Sequence, residues 1–157
     1  MSILKTEKQL NDLIVKVKKS IESTIGSETE ILKTGKSERN FTTSLVREIS
    51  KKIKEQDILV DPFYNKHIRA AKRLDGRLIE LDIAIHERYN DKNNLVAIEL
   101  ETNNYPVGDD LWKVKSLTKE LDGYGYELGL YLVIGIGKKA GQIITMKWYR
   151  NGEIMVI

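Results

Sequence analysis

Four carboxylates occupy matching positions on two neighbouring apolar segments of the chain. The segments are 78–87 (LIELDIAIHE) and 95–101 (LVAIELE), and both alternate apolar and polar residues with the period of two that is typical of a half-buried β-strand. A hairpin centred on the Asn90–Asp91 bond places Asp82 opposite Glu99 and Glu80 opposite Glu101. On its other face the same hairpin pairs Leu81 with Leu100, Ile83 with Ile98 and Ile85 with Val96. The sequence therefore predicts one apolar face and one face that carries two opposed acidic pairs.

The opposed carboxylates repel each other, and this repulsion suggests a cation between the strands. Directly opposed side chains in a sheet have Cβ atoms about 5 Å apart. Two unit charges at that separation repel by roughly 3 kcal/mol at an effective dielectric of about 20. Mg²⁺ takes oxygen ligands and is commonly held by one or two carboxylates, so a divalent-ion site is one interpretation. The other is a sheet face that is simply exposed to water. The pattern alone does not separate the two.

The order of segments around this hairpin resembles the PD-(D/E)XK nuclease superfamily, which has the restriction-endonuclease-like fold. The resemblance runs from about residue 37 to residue 134 and rests on several short motifs in order. These are SERNFTTSLVREISKKI as the leading helix, VDPFYNKH before the Asp strand, LDIAIHE and LVAIELE as the site strands, DDLWKVKSLT as the next helix and YELGLYLVIG as the next strand. The resemblance implies an α/β fold with a central mixed sheet flanked by helices, here preceded by an extra N-terminal helix.

The resemblance also implies a function and a set of site residues. We expect a metal-dependent phosphodiesterase that hydrolyses DNA, with Asp82 and Glu99 binding Mg²⁺ or Mn²⁺ and the backbone carbonyl of Leu100 completing the set. Glu48 matches the acid often found on the leading helix, although a salt link to Lys52 at i+4 is an equal alternative. Cleavage of both strands of a duplex would need two such sites, so a homodimer is expected.

The chain departs from the superfamily at one position, where Glu101 replaces the usual Lys. Glu101 could bind the metal or act as a base for a metal-bound water, but it cannot provide a positive charge. Lys113 or Lys115 on the following helix could supply that charge instead, and we interpret both as solvated helix residues. The alternative function is an inactive member of the fold that serves as a nucleic-acid or protein interaction module. Activity that depends on a protein partner is a third alternative.

A basic connector lies directly upstream of Asp82. Its cations include the candidate nucleic-acid contacts Lys66, Arg69, Lys72 and Arg73. Lys and Arg side chains hold phosphates in most nucleic-acid complexes, so this stretch could follow a DNA backbone. The structural alternative is a solvated loop. The net charge of the whole chain is only +3, with the first half basic and the second half acidic.

The remaining elements are predicted from periodicity and turn signals. We expect a helix over about 6–25, a polar linker over 26–35, and a second helix that is capped by Ser37 and buries Phe41, Leu45 and Ile49. A third helix is expected at about 109–121. Strands are expected at about 58–64, 78–87, 95–101, 126–136, 142–150 and 153–157, the last two joined by an Asn-Gly turn.

Length and composition predict one domain of 157 residues. It divides into an N-terminal helix and linker (1–35), a nuclease-like core (36–136) and a C-terminal hairpin (137–157). Cysteine is absent, which excludes disulfides and thiolate metal sites. No apolar run is long enough to span a membrane and the first residues lack the apolar core of a signal peptide. We therefore expect a cytoplasmic protein.

Overall fold

The fold is built on a six-stranded mixed sheet with helices on both faces. The computed structural model describes residues 6–35, 37–67, 70–71, 73–74, 77–88, 93–108, 111–119 and 124–156, and for the short strands between 66 and 78 it describes the backbone alone. The six strands of the sheet are, in spatial order, β1 (Leu59–Tyr64), β6 (Leu81–His86), β7 (Asn94–Thr102), β8 (Leu128–Ile134), β9 (Ile143–Arg150) and β10 (Glu153–Ile154). β7 and β8 are parallel and every other neighbouring pair is antiparallel. The predicted α/β class and mixed sheet are confirmed.

The basic connector between β1 and β6 forms two small antiparallel ladders. They consist of β2 (Lys66–His67) with β3 (Ala70–Ala71), and β4 (Arg73–Leu74) with β5 (Arg77–Leu78). The predicted contacts Arg69 and Lys72 lie outside the described residues, as do the side chains of Lys66 and Arg73. Their proposed role in binding nucleic acid stays a prediction.

Helix α1 (Glu7–Thr34) extends well beyond its predicted end. It begins at a capping box in which the Thr6 hydroxyl accepts the Gln9 N–H, and it ends at Gly35 in the left-handed conformation. The predicted linker at 26–35 was wrong, because Gly26 lies inside the helix, where a glycine costs only about 1 kcal/mol relative to alanine. Burial of Leu32 and a hydrogen bond of 2.8 Å from Ser44 Oγ to Glu28 Oε1 stabilise the additional turns.

Helix α2 (Glu38–Ser50) follows directly and packs with α1 on one face of the sheet. Ser37 precedes it as predicted, but its side chain makes no capping hydrogen bond. The two helices bury an apolar stripe against alternate residues of the central strands. This cluster includes Leu13, Val17 and Ile21 of α1, Phe41, Leu45 and Ile49 of α2, Ile83 and Ile85 of β6, Ile98 and Leu100 of β7, and Leu130 and Leu132 of β8.

Helix α3 (Leu111–Leu117) covers the opposite face of the sheet. A row of small residues lies beneath it, since Ala84 pairs with Ala97 and Ala97 pairs with Gly129. A Cβ atom at Gly129 would lie only 2.7 Å from Val114 Cγ1 of α3. The row therefore lets the helix approach the sheet closely, and this approach decides which α3 side chains reach the strands.

The C-terminal hairpin forms at the predicted place, but its last strand, expected at about 153–157, covers Glu153–Ile154. Asn151 and Gly152 both have positive φ, 51° and 79°, as a two-residue hairpin turn between β9 and β10 requires. In the part of the chain that the structure describes, no helix is long and apolar enough to cross a membrane.

Candidate active site

The register of the central hairpin is close to the one predicted from alternation. Ile83 pairs with Ile98 and Ile85 pairs with Val96, as expected, while the turn at residues 90 and 91 lies outside the described residues. A β-bulge follows Ile85, so that His86 pairs with Asn94. The bulge absorbs one residue, and the predicted register holds from Ile85 to Ile83.

At the acidic end, the Asp82 side chain bonds to the neighbouring strand. The pairing of β6 with β7 begins at Ile83 and Ile98. Just beyond it, Asp82 Oδ2 accepts the backbone N–H of Leu100 at 2.7 Å. Leu81 does not lie on the face of Ile83, as the alternation predicts, but packs with Ala84 and Ala97. The half-buried Asp82 carboxylate is thereby held against the strand segment that carries Glu99.

Glu99 is the most deeply buried carboxylate of the predicted set. It is 1 % exposed, and it lies on the α3 face of β7, where it pairs with Tyr131 of β8. Lys113 Nζ of α3 lies 3.2 Å from Glu99 Oε1, and the same ammonium donates to the Glu80 carbonyl oxygen at 3.2 Å. A buried carboxylate is strongly disfavoured unless it is paired, so Lys113 stabilises the ionised form of Glu99.

The interpretation of Lys113 as a solvated residue was wrong. Its side chain is 14 % exposed and reaches the acidic strands, whereas Lys115 on the same helix is exposed, as expected. The reason is the close packing of α3, which brings the Lys113 side chain within reach of β7. A positive charge on α3 therefore lies beside Glu99.

Glu101 has a different environment from Glu99. Its Oε1 accepts the Tyr131 hydroxyl at 2.9 Å, and its Oε2 accepts the backbone N–H of Val107 at 3.2 Å. The Tyr131 oxygen in turn accepts the N–H of Gly108 at 3.0 Å. Glu101, predicted as a metal ligand or base, therefore uses both carboxylate oxygens to hold the loop between β7 and α3.

Glu48 lies apart from these residues. It belongs to α2, which packs on the sheet face opposite α3, and its carboxylate accepts a hydrogen bond of 3.0 Å from Lys51. This bond, together with the charge of Lys51, lowers the pKa of Glu48. The sequence predicted Lys52 as the alternative partner of Glu48, but in the structure Glu48 is bonded to Lys51. Its proposed role as an outer ligand stays a prediction without support from this geometry.

A second buried polar cluster was not foreseen from the sequence. Asp61 of β1 accepts hydrogen bonds from His86 Nε2 at 2.8 Å and from Arg88 Nε at 2.9 Å. Burial alone would raise the pKa of Asp61, but the bonds from Arg88 and His86 outweigh burial and hold it well below its usual range. The Tyr64 ring packs edge-on against His86, with centroids 4.1 Å apart. The sequence signal that could have indicated this cluster was Asp61, a charged residue directly after the apolar residues 58–60 of a predicted strand.

The donors present would suit a hard cation. Among the described residues there is no group of three or more His, Asp or Glu side chains arranged to hold a metal. Mg²⁺, however, is commonly bound by one or two carboxylates, with water and substrate phosphate completing the set. Asp82 and Glu99 are two carboxylates on adjacent strands, which is the donor type that such an ion takes.

Comparison of the chain with protein-family models, with curated proteins and with solved structures finds no match in any of the three.

Proposed function

We propose that the protein is a metal-dependent phosphodiesterase that hydrolyses DNA at the Asp82–Glu99 end of the central hairpin. The observation that carries the proposal is the ion pair of 3.2 Å between Lys113 and the buried Glu99 carboxylate. It places a cation and an acid together on the α3 face, and Asp82 is bonded to the next residue along β7. Metal-dependent phosphodiester hydrolysis can use acids that hold the ion and an ammonium that stabilises charge on the phosphate.

Each residue has a distinct role in this proposal. Asp82 and Glu99, with the Leu100 carbonyl, would hold Mg²⁺ or Mn²⁺. When bound, the ion lowers the pKa of a coordinated water and neutralises phosphate charge. Lys113 would orient the attacking water and balance the charge of the phosphate. Glu101 would shape the site through Tyr131 and the loop that follows β7, rather than move a proton.

The first experiment measures metal binding and cleavage in the same preparation. We expect millimolar Mn²⁺ to raise the melting temperature of the wild-type protein and to support cleavage of plasmid and single-stranded DNA. Asp82→Ala should lose both effects, because it removes one of two ligands. Equal cleavage by the wild type and Asp82→Ala would identify a contaminating nuclease. Absence of both metal stabilisation and cleavage would overturn the proposal.

The role of Lys113 is tested with a matched control on the same helix. Lys113→Met should reduce kcat by about 10²–10³-fold, the usual effect of removing one group that stabilises the transition state. Lys115→Met removes the same charge from an exposed position two residues away and should leave kcat unchanged. Equal activity of Lys113→Met and Lys115→Met would refute the role of Lys113.

Metal affinity separates the loss of a catalytic charge from misfolding. In the wild type the Lys113 ammonium competes with a bound ion for the Glu99 carboxylate. Removal of the ammonium should therefore increase the affinity of the protein for Mn²⁺. Lys113→Met should therefore be stabilised by Mn²⁺ at lower concentrations than the wild type, although it cleaves more slowly. A misfolded variant would show neither metal stabilisation nor a cooperative thermal transition.

A second function is favoured by the same ion pair. Lys113 is paired with Glu99, and Glu101 is bonded to Tyr131 and Val107, so both carboxylates have partners within the protein itself. This is the expected condition of an inactive member of the fold that binds nucleic acid or protein without cleaving it. Binding of DNA that is unchanged by Mn²⁺, with no product formed, would support this second function.

A further inference from the structure

The loop between β7 and α3 presents an exposed aromatic ring from a rigid backbone. Tyr105 is 65 % exposed and Val107 is 51 % exposed. Among the residues whose exposure is described, Tyr105 is the one aromatic side chain more than about a third exposed. An aromatic ring in water forgoes the stabilisation that burial of its apolar area would give. The exposed ring of Tyr105 is therefore accessible to a ligand.

The loop is fixed at both ends by hydrogen bonds. Asn103 donates its N–H to the Ile134 carbonyl at 2.9 Å, and Asn104 Oδ1 accepts the N–H of Ile136 at 2.9 Å. On the other side of Tyr105, the N–H groups of Val107 and Gly108 bond to the Glu101 carboxylate and the Tyr131 hydroxyl. The Tyr105 ring therefore extends into solvent from a backbone whose position is set.

The loop also connects the two elements that form the candidate active site. It begins immediately after β7, which carries Glu99, and leads into α3, which carries Lys113. Its anchor, Glu101, lies two residues beyond Glu99 on the same face of the strand. A strand of nucleic acid with a phosphate at Asp82 and Glu99 would therefore pass this loop.

We propose that Tyr105, with Val107 beside it, is a stacking platform for an unpaired base of the substrate. This inference rests on the proposed function and names its substrate class as single-stranded nucleic acid, or the frayed end of a duplex. Any base can stack on an aromatic side chain, whereas the faces of paired bases are already covered by their neighbours. Tyr105 is thus a positioning residue, and it takes no part in proton transfer.

Binding to labelled oligonucleotides in EDTA tests the platform without cleavage. Tyr105→Ala should weaken binding of a 20-nucleotide single strand between about fivefold and about 150-fold, the range found when a stacking aromatic is removed. Tyr105→Phe keeps the ring and should bind like the wild type. The affinity of all variants for a blunt hairpin duplex should agree within about twofold. Ile154→Ala, at a 58 % exposed site on β10, is the control for loss of exposed apolar area.

Two further readouts separate stacking from a general effect on the fold. Irradiation of an oligonucleotide containing 5-iodouracil should attach it to the peptide that carries Tyr105, and mass spectrometry identifies this residue. In cleavage assays Tyr105→Ala should raise KM for single strands and leave kcat unchanged. Because the Tyr105 side chain is exposed, the melting temperature of Tyr105→Ala should equal that of the wild type.

The outcomes distinguish failure of this inference from failure of the proposed function. If the wild type binds and cleaves DNA but Tyr105→Ala has the same single-strand affinity and KM, the stacking platform is refuted and the nuclease proposal stands. If the wild type prefers the blunt duplex, the substrate class is wrong. If the wild type neither binds nor cleaves nucleic acid, the proposed function has failed and the stacking platform fails with it.

Discussion

Tyr131→Phe removes a single oxygen that joins Glu101 to the loop after β7. The hydroxyl donates to Glu101 Oε1 at 2.9 Å and accepts from Gly108 N at 3.0 Å, in a side chain that is 1 % exposed. The ring itself is retained, so the apolar packing of β8 against α3 is unchanged. Any loss of stability therefore measures these two hydrogen bonds.

The magnitude follows from the two bonds and the burial of their partners. A hydrogen bond to a charged group contributes about 1.5–3 kcal/mol and a neutral one about 0.5–1.5 kcal/mol. Glu101 is 8 % exposed, so water can replace part of the lost bond. We therefore expect Tyr131→Phe to lower the free energy of unfolding by about 2–3 kcal/mol.

The same substitution should loosen the loop. Each 1.4 kcal/mol of free energy is a factor of ten in an equilibrium. If the free energy of opening the loop falls by about 2–3 kcal/mol, amide hydrogen exchange at Gly108 and Val107 therefore becomes about 30–150-fold faster. Exchange in the centre of β8 should follow the global stability instead. Urea unfolding gives the global change and exchange measured by NMR gives the local one.

Tyr149→Phe is the matched control. Tyr149 belongs to the same apolar cluster, is 4 % exposed, and has a phenol pKa that is raised by burial. Among the described residues its hydroxyl bonds no carboxylate, so the same loss of oxygen should change stability by less than about 1 kcal/mol. If both variants unfold at the same urea concentration and Gly108 exchanges at the wild-type rate, Glu101 does not anchor the loop through Tyr131.

Three other substitutions, with Asp57→Asn as a control, test a buried ion pair, the approach of α3 to the sheet and the length of α1. Asp61→Asn removes the charge that binds His86 and Arg88 and should lower the free energy of unfolding at pH 7 by about 2–3 kcal/mol, whereas the exposed Asp57→Asn should change it by less than about 0.5 kcal/mol. Because the pKa of Asp61 is depressed in the folded state, its contribution is present above the unfolded pKa of about 4 and is lost as the pH falls toward the folded value. Gly129→Ala should destabilise the fold by about 1–3 kcal/mol, since its Cβ would meet Val114 of α3 at 2.7 Å. Gly26→Ala should stabilise it by up to about 1 kcal/mol, because the added carbon meets no atom within 4 Å apart from its own helix turn. Urea unfolding of each pair decides these predictions, and equal effects of Gly129→Ala and Gly26→Ala would contradict the close approach of α3.

The alternation of the sequence predicted the strands and most of the hairpin register correctly. The face that packs against α1 and α2 takes large apolar residues at every second position, so the partners of Ile83 and Ile85 follow from the pattern. The prediction of the first helix was wrong at its end, because Gly26 and the polar residues after it indicate a linker locally. Packing of Leu32 and the bond between Ser44 and Glu28 override that local preference.

The sequence by itself determined the pairing at the centre of the hairpin and placed several acids toward one end of it, although Leu81 lies on the other face from the one predicted. The tertiary structure decided what those acids do: Glu99 pairs with Lys113, Glu101 holds the loop, and Glu48 lies on the other side of the sheet. These partners lie on different elements, and their meeting depends on the distance between α3 and the sheet. That distance is set by Ala97 and Gly129 beneath the helix, through packing that no local pattern records.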